Sequence, residues 1–141
     1  ADDDKIDDLT RKLMRIGLDN CFGYISNVEA LDLQLETADY IGYDDFKPYV
    51  GKPGVQIVDV RGDSEFKLNH IPGADHVFIG TLQNNLDKID NEKEIIVHCQ
   101  SGTRSTVAYS ILRKNGFTKV KNFTGGMKEW LDMETAKKVE A

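Results

Sequence analysis

Short apolar runs alternate with amphipathic segments along most of this chain. The apolar runs are rich in β-branched residues and predict buried strands at 40–41, 55–60, 77–79, around Ile95 and at 120–123. Apolar residues at helical spacing predict helices over 43–50, 64–68, 82–89, after Cys99 as far as Gly116, and from 125 onward. Ser64 is a candidate N-cap. Strands that alternate with helices favour a mostly parallel sheet covered on both faces, and so an α/β fold.

The most informative stretch separates the Ile95 strand from the helix that follows it. Cys99 ends the strand-like run, and six small or polar residues lead into the helix: Gln100, Ser101, Gly102, Thr103, Arg104 and Ser105. N–H groups that open a helix stabilise an anion, so a thiol facing them has a pKa below its ordinary value of about 8.5. Gly102 permits a tight turn and Arg104 adds a cation. The pattern predicts a nucleophile, and an inert buried thiol is the alternative.

The composition of the chain narrows the classes of protein to which it could belong. The 141 residues carry a net charge of −6, which argues against nucleic acid as a partner, and 40% hydrophobic positions are typical of a globular domain. No apolar run reaches the length of a membrane span, and no signal peptide is recognisable. Cys21 and Cys99 lie far apart, so we expect free thiols in a reducing cytoplasm rather than a disulfide framework. The sequence has no His and Cys residues at the spacing typical of metal ligands, so it predicts no metal site.

Four segments, in this order and spacing, resemble the rhodanese-like (sulfurtransferase) family. They are Asp-Val-Arg at 59–61, His-Ile-Pro-Gly-Ala at 70–74, the strand and loop at 95–105, and Gly-Gly-Met-Lys-Glu-Trp at 125–130. The resemblance implies a three-layer α/β/α domain with a five-stranded, mostly parallel sheet and no cofactor. Asn69 departs from the glycine that is more usual in the family, and we expect it to alter only a local turn.

The resemblance also implies a reaction. The Cys99 thiolate attacks the outer sulfur of thiosulfate or of a small persulfide, and the resulting enzyme persulfide passes that sulfur to a thiol or to cyanide. The N–H groups from Gln100 to Ser105 would stabilise the persulfide, and Arg104 would stabilise the anionic donor. Asp59 and Arg61 end a neighbouring strand, where they are either a structural charge pair or a substrate contact.

Two other functions remain open. The His-Cys pair, the glycine-containing loop and Arg-Ser also resemble cysteine phosphatases and arsenate reductases. Phosphatases place five residues between Cys and Arg, whereas four residues separate Cys99 from Arg104, which favours a cradle for a single sulfur atom. A non-catalytic rhodanese-like module that binds a partner is the second alternative, although such modules typically lose the cysteine or the small loop residues.

The start of the chain is similar to its end. A shift of 99 positions aligns Leu13 with Leu112 and Gly17 with Gly116. Residues 9–32 are therefore interpreted either as the tail of a preceding rhodanese-like repeat or as an N-terminal helix packed on the domain. The first interpretation resembles fusions of a metallo-β-lactamase-like domain with rhodanese-like domains. The remaining expected divisions are a disordered edge at 1–8, a linker at 33–39, the rhodanese-like domain at 40–135 and a tail at 136–141.

Overall fold

The central feature of the fold is a parallel five-stranded sheet. The computed structural model describes residues 3–27, 30–31 and 37–139, and the chain forms two compact units, Ala1–Glu36 and Thr37–Ala141. The sheet of the second unit consists of β1 (Tyr40–Ile41), β2 (Val55–Asp59), β3 (Asp75–His76), β4 (Glu94–His98) and β5 (Val120–Phe123). Its order is β1-β5-β4-β2-β3, and all neighbouring pairs are parallel. β4 is therefore the central strand, and Cys99 follows its carboxyl end.

The helices of the second unit cover both faces of this sheet. The first unit contains α1 (Ile6–Arg15), and the second contains α2 (Tyr43–Phe46), α3 (Asp63–Leu68), α4 (Thr103–Lys114) and α5 (Gly126–Val139). Side chains alternate along β4, so Ile95 packs in one apolar cluster with Leu112 of α4. Ile96 packs in the opposite cluster with Met127 and Trp130 of α5. The predicted three-layer α/β/α fold is confirmed.

Two predictions for the segment from β3 to the start of β4 are wrong. The strand predicted at 77–79 lies two residues too late, because β3 is Asp75–His76 and a 3-10 helix, Ile79–Asn84, begins at its expected end. The α-helix predicted over 82–89 is two 3-10 helices, Ile79–Asn84 and Leu86–Lys88. They are interrupted at Asn85, where φ is −132° and the side-chain amide donates to the carbonyl of Thr81 at 2.8 Å. Leu82 and Ile89 are buried all the same, so their spacing reflects the core.

Smaller differences concern where elements begin and end. Ser64 is not an N-cap, because α3 begins at Asp63 and Gly62 holds the cap position. The helix predicted over 43–50 changes to a 3-10 helix at Lys47–Tyr49, where Pro48 supplies no N–H for an α-helical bond. At the far end of the domain α5 continues past the expected boundary at 135, to Val139.

The first unit consists of α1 and the chain that follows it. A 3-10 helix at Asp3–Lys5 leads into α1, so the expected boundary at residue 8 lies inside a helix. α1 ends at Arg15, and Gly17 follows its C-cap with φ +82°. Residues 28–29 and 32–36, which include part of the expected linker, lie outside the described residues. Within the described ranges, no helix is long and apolar enough to cross a membrane.

Candidate active site

A tight turn joins β4 to α4 and carries the predicted nucleophile. Gly102 has φ +95°, a backbone conformation that favours glycine, and a Cβ added there would lie 2.7 Å from the carbonyl oxygen of Thr124. α4 begins at the next residue, Thr103, and the Thr106 hydroxyl donates to the Gly102 carbonyl at 3.0 Å. The Ser105 hydroxyl lies 2.9 Å from the same carbonyl oxygen and can donate its one proton either to that oxygen or to Cys99 Sγ. The turn therefore brings the first N–H groups of α4 back toward Cys99.

The Cys99 thiol is buried but is held by polar groups. Its side chain is 1% exposed, and the N–H of Gly102 donates to Sγ at 3.2 Å. Burial raises the pKa of the Cys99 thiol. Hydrogen bonds from the Ser105 hydroxyl and from the N–H groups of Ser105, Ser101 and Gly102 lower it further than burial raises it. The net effect is a pKa below the ordinary value, which favours a thiolate.

The N-terminus of α5 holds the same loop from the other side. The N–H of Met127 donates to the Cys99 carbonyl at 2.8 Å, and the N–H of Lys128 donates to the Gln100 carbonyl at 3.1 Å. Because a trans peptide points its C=O and N–H in opposite directions, fixing these carbonyls helps direct the following N–H groups toward the sulfur. Gly126 permits this approach, since it has φ +58° and a Cβ there would lie 2.4 Å from the Cys99 oxygen.

A buried charge pair supports the loop from β2. Arg61 is 2% exposed, and its guanidinium donates to both carboxylate oxygens of Asp59 at 2.8–3.0 Å. Arg61 Nη1 also donates to the side-chain oxygen of Gln100 at 3.2 Å. These contacts favour a structural charge pair over a substrate contact, the two roles that the sequence left open.

Asn69 does more than alter a local turn, so that expectation is wrong. Arg61 Nη1 donates to the Asn69 side-chain oxygen at 3.3 Å, and Nη2 donates to the Asn69 carbonyl at 2.6 Å. A glycine at this position could supply the carbonyl but not the side-chain acceptor. Asn69 therefore belongs to the network that joins Arg61 to the loop.

Arg104 is paired with a carboxylate rather than standing alone. Its Nη1 and Nη2 donate to Glu65 Oε2 and Oε1 at 2.6 and 2.7 Å. The Arg104 side-chain hydrogen bond lowers the pKa of Glu65 to about 2, assisted by the Gly62 N–H and opposed by burial. The pKa of Arg104 is raised, first by Glu65 and further by Cys99. The pair therefore remains charged over the ordinary working range of pH.

His98 lies beside the nucleophile along the chain but faces elsewhere. It is fully buried, with Nδ1 3.3 Å from the Cys99 carbonyl oxygen and Nε2 3.8 Å from Asp59 Oδ2. Burial lowers the pKa of His98, which favours the neutral ring. Among the residues that the structure describes, no group of three or more His, Cys, Asp or Glu side chains is placed to hold a metal ion.

The structure brings the predicted residues 99–105, 59 and 61 to one edge of the sheet, and it adds groups that sequence reasoning did not select. The added groups are Glu65, Asn69, and the N–H groups at the start of α5. The Gly-Gly pair at the start of α5 is a usable signal, because two glycines at a helix start indicate a close backbone approach. Nothing local in the sequence indicates that Glu65 reaches Arg104, 39 positions away.

Comparison with known families agrees with this geometry. Residues 43–133 match the model of the Rhodanese-like domain. The chain therefore belongs to the rhodanese-like domain family.

Three similar proteins illustrate the relationship. The chain is 39% identical over 83 residues to Uncharacterized protein YqhL of Bacillus subtilis (strain 168), covering 59% of this chain and 66% of that protein, slightly less than two thirds. It is 32% identical over 104 residues to Thiosulfate:glutathione sulfurtransferase of Saccharomyces cerevisiae, covering 63% and 75%. The solved structure of a Rhodanese-like Domain Protein from Staphylococcus aureus has TM-score 0.60 and 32% identity, covering 65% of this chain and 90% of that one.

Proposed function

We propose that this protein is a sulfurtransferase that moves sulfane sulfur through a persulfide on Cys99. The donor is thiosulfate or a small persulfide, and the acceptor is a thiol or cyanide. A relative named as a sulfurtransferase supports the general role. The observation that carries the finer proposal is the Cys99 thiol itself, which receives the Gly102 N–H at 3.2 Å and has a lowered pKa. A reducing compartment such as the cytoplasm suits such a thiolate.

The first displacement loads the enzyme. The Cys99 thiolate attacks the outer sulfur of the donor, a new S–S bond forms, and the donor's own bond to that sulfur breaks. Its electron pair leaves on sulfite when the donor is thiosulfate, or on a thiolate when the donor is a persulfide. The terminal sulfur now carries the negative charge, and the N–H groups of Ser101 and Gly102, which donate to Cys99 Sγ, would stabilise it.

The second displacement unloads the enzyme. An acceptor thiolate or cyanide attacks the terminal sulfur of the persulfide, and the bond to Cys99 breaks with its electron pair returning to Sγ. The products are an acceptor persulfide or thiocyanate, together with the original Cys99 thiolate. Because the same thiolate is nucleophile in one half and leaving group in the other, its lowered pKa favours both halves of a ping-pong cycle.

Intact-protein mass after incubation with thiosulfate tests the proposal. We expect wild type to gain one sulfur atom and to lose it on addition of cyanide. Cys99→Ser should remain folded and gain none, whereas Cys21→Ser, a matched change at the exposed cysteine, should behave as wild type. Hydrolysis of an aryl phosphate without the adduct would indicate a phosphatase instead. If the protein neither gains the sulfur atom nor hydrolyses the aryl phosphate, the result indicates a non-catalytic binding module.

A further inference from the structure

We infer that Glu65 determines which sulfur donors the site accepts, because it neutralises Arg104 and so disfavours donors with two negative charges relative to donors with one. The inference rests on the proposed function and deepens it by naming a donor class. It concerns a residue of α3, outside the loop that carries the nucleophile.

The ion pair has a fixed geometry at the surface of the site. The Glu65 carboxylate and the Arg104 guanidinium meet as two parallel hydrogen bonds of 2.6 and 2.7 Å, an arrangement that is directional as well as attractive. The Gly62 N–H also donates to Glu65 Oε2 at 3.0 Å, which ties the carboxylate to the start of α3. Both side chains are 36% exposed, and Arg104 lies close enough to Cys99 for the thiolate to raise its pKa, so the pair is open to solvent and beside the nucleophile.

The charges of the network around Cys99 cancel in pairs. Arg61 is buried against Asp59, and Arg104 is bound by Glu65, so each of these two pairs has no net charge. The N–H groups of the loop still attract an anion, but a dipole acts over a shorter range than a full charge. A donor that approaches the Cys99 thiolate is therefore repelled in proportion to its own negative charge.

Two donors of similar shape isolate this effect. Thiosulfate carries two negative charges, and methanethiosulfonate carries one because a methyl group replaces one oxygen. In both cases the Cys99 thiolate attacks the outer sulfur and the S–S bond of the donor breaks. The electron pair leaves on sulfite or on methanesulfinate, and the same enzyme persulfide remains. Any difference in the response of the two donors to a mutation therefore reports on charge.

The test is the ratio of kcat/KM for thiosulfate to kcat/KM for methanethiosulfonate, with cyanide as acceptor at low ionic strength. Glu65→Gln keeps the shape and an acceptor oxygen but removes the charge. We expect kcat/KM for thiosulfate to rise about fivefold to tenfold and that for methanethiosulfonate about twofold to threefold. High salt should shrink the change in the ratio. Glu65→Ala, which removes the same charge, is a second variant with the same expectation.

Two controls separate selectivity from a structural effect. Glu65→Asp retains the charge and should keep the ratio near that of wild type. Glu92→Gln makes the same charge change at an exposed residue before β4, at the opposite end of the strand from Cys99, and should leave the ratio unchanged. An unchanged ratio in Glu65→Gln, or an equal change in Glu92→Gln, would overturn the inference.

A second measurement distinguishes this inference from the proposed function. In a Cys21→Ser background, the Cys99 thiolate is alkylated with iodoacetate, which is an anion, and with iodoacetamide, which is neutral. We expect Glu65→Gln to raise the ratio of the two rates about threefold, and a constant ratio would contradict the role of Glu65. If wild type forms no sulfur adduct with either donor, the proposed function is wrong, and the alkylation ratio decides the charge preference by itself.

Discussion

Opposed effects act on a single residue, the Cys99 thiol. Burial at the end of β4 destabilises the thiolate, whereas the Ser105 hydroxyl and the N–H groups of the turn stabilise it. The balance lies with the hydrogen bonds, so the pKa is lowered although the side chain is 1% exposed. Burial is the largest single effect on the pKa of Cys99, and only the hydrogen bonds taken together outweigh it.

Ser105→Ala is expected to raise the pKa of Cys99, because it removes a hydroxyl that stabilises the thiolate while burial stays the same. The measurement is the rate of alkylation by iodoacetamide against pH in a Cys21→Ser background. Its midpoint should move to higher pH, and the rate at neutral pH should fall. Ser110→Ala is the matched control, since Ser110 lies on the exposed side of the same helix and donates to the Thr106 carbonyl. Equal midpoints for the two variants would contradict the assignment.

The sequence predicted this residue-level chemistry where it depends on neighbours along the chain. Cys99, Gly102 and Ser105 lie within seven positions, and a strand followed by a helix start is enough to indicate an anion site. The contacts of Glu65 and Asn69 depend instead on how the loop after β2 folds over the loop after β4. That placement is tertiary, and hydrophobic periodicity contains no information about it.

At the scale of elements, the site depends on α5 as much as on β4 and α4. The first N–H groups of α5 hold the carbonyls of Cys99 and Gln100, and the glycine that begins the helix leaves room for them. The glycine pair predicts a helix start but indicates no role in the site. Hydrophobic periodicity places β3 two residues too late and predicts one α-helix where the structure has two 3-10 helices. Short elements whose ends are set by side-chain hydrogen bonds, such as that of Asn85, produce little hydrophobic periodicity in the sequence.

Gly126→Ala is expected to damage the site through the backbone. The added Cβ would lie 2.4 Å from the Cys99 oxygen and 2.9 Å from the Gln100 oxygen, so the loop must move. We expect slower iodoacetamide alkylation of Cys99 and a lower melting temperature. Gly116→Ala is the control, because Gly116 also has positive φ, +89°, but open space around the added Cβ. It should lose about 1–2 kcal/mol of stability from backbone strain without changing the alkylation rate. A normal rate in Gly126→Ala would contradict the role of α5.

At the scale of the whole molecule, the first unit matches part of the second. Leu18 donates to the Leu13 carbonyl at 3.0 Å after α1, and Phe117 donates to the Leu112 carbonyl at 3.1 Å after α4. The glycines that follow the two helices, Gly17 and Gly116, lie 99 positions apart and have φ +82° and +89°.

The same shift of 99 positions aligns apolar residues that line a groove of the first unit with buried residues of the domain. The pairs are Leu9 with Ala108, Leu13 with Leu112, Cys21 with Val120, and Tyr24 with Phe123. The interpretation of residues 9–32 as the tail of a preceding repeat rests on these correspondences and stays a prediction.

Deletion of residues 1–32 tests this interpretation. A segment that is the tail of another repeat contributes little to the core of the Thr37–Ala141 unit, so we expect a similar melting temperature. The truncated protein should also gain one sulfur atom from thiosulfate. A large loss of melting temperature would favour the alternative, a helix that packs on the domain.

The central position of β4 has a consequence for the lifetime of the reactive thiol. Strands in the middle of a sheet open to solvent only in rare, near-global fluctuations, whereas edge strands such as β1 and β3 open more often. We therefore expect a cysteine attached to the middle strand, 1% exposed, to be shielded from bulky oxidants. The Cys99 sulfur is thus attached to β4, the strand at the centre of the sheet order.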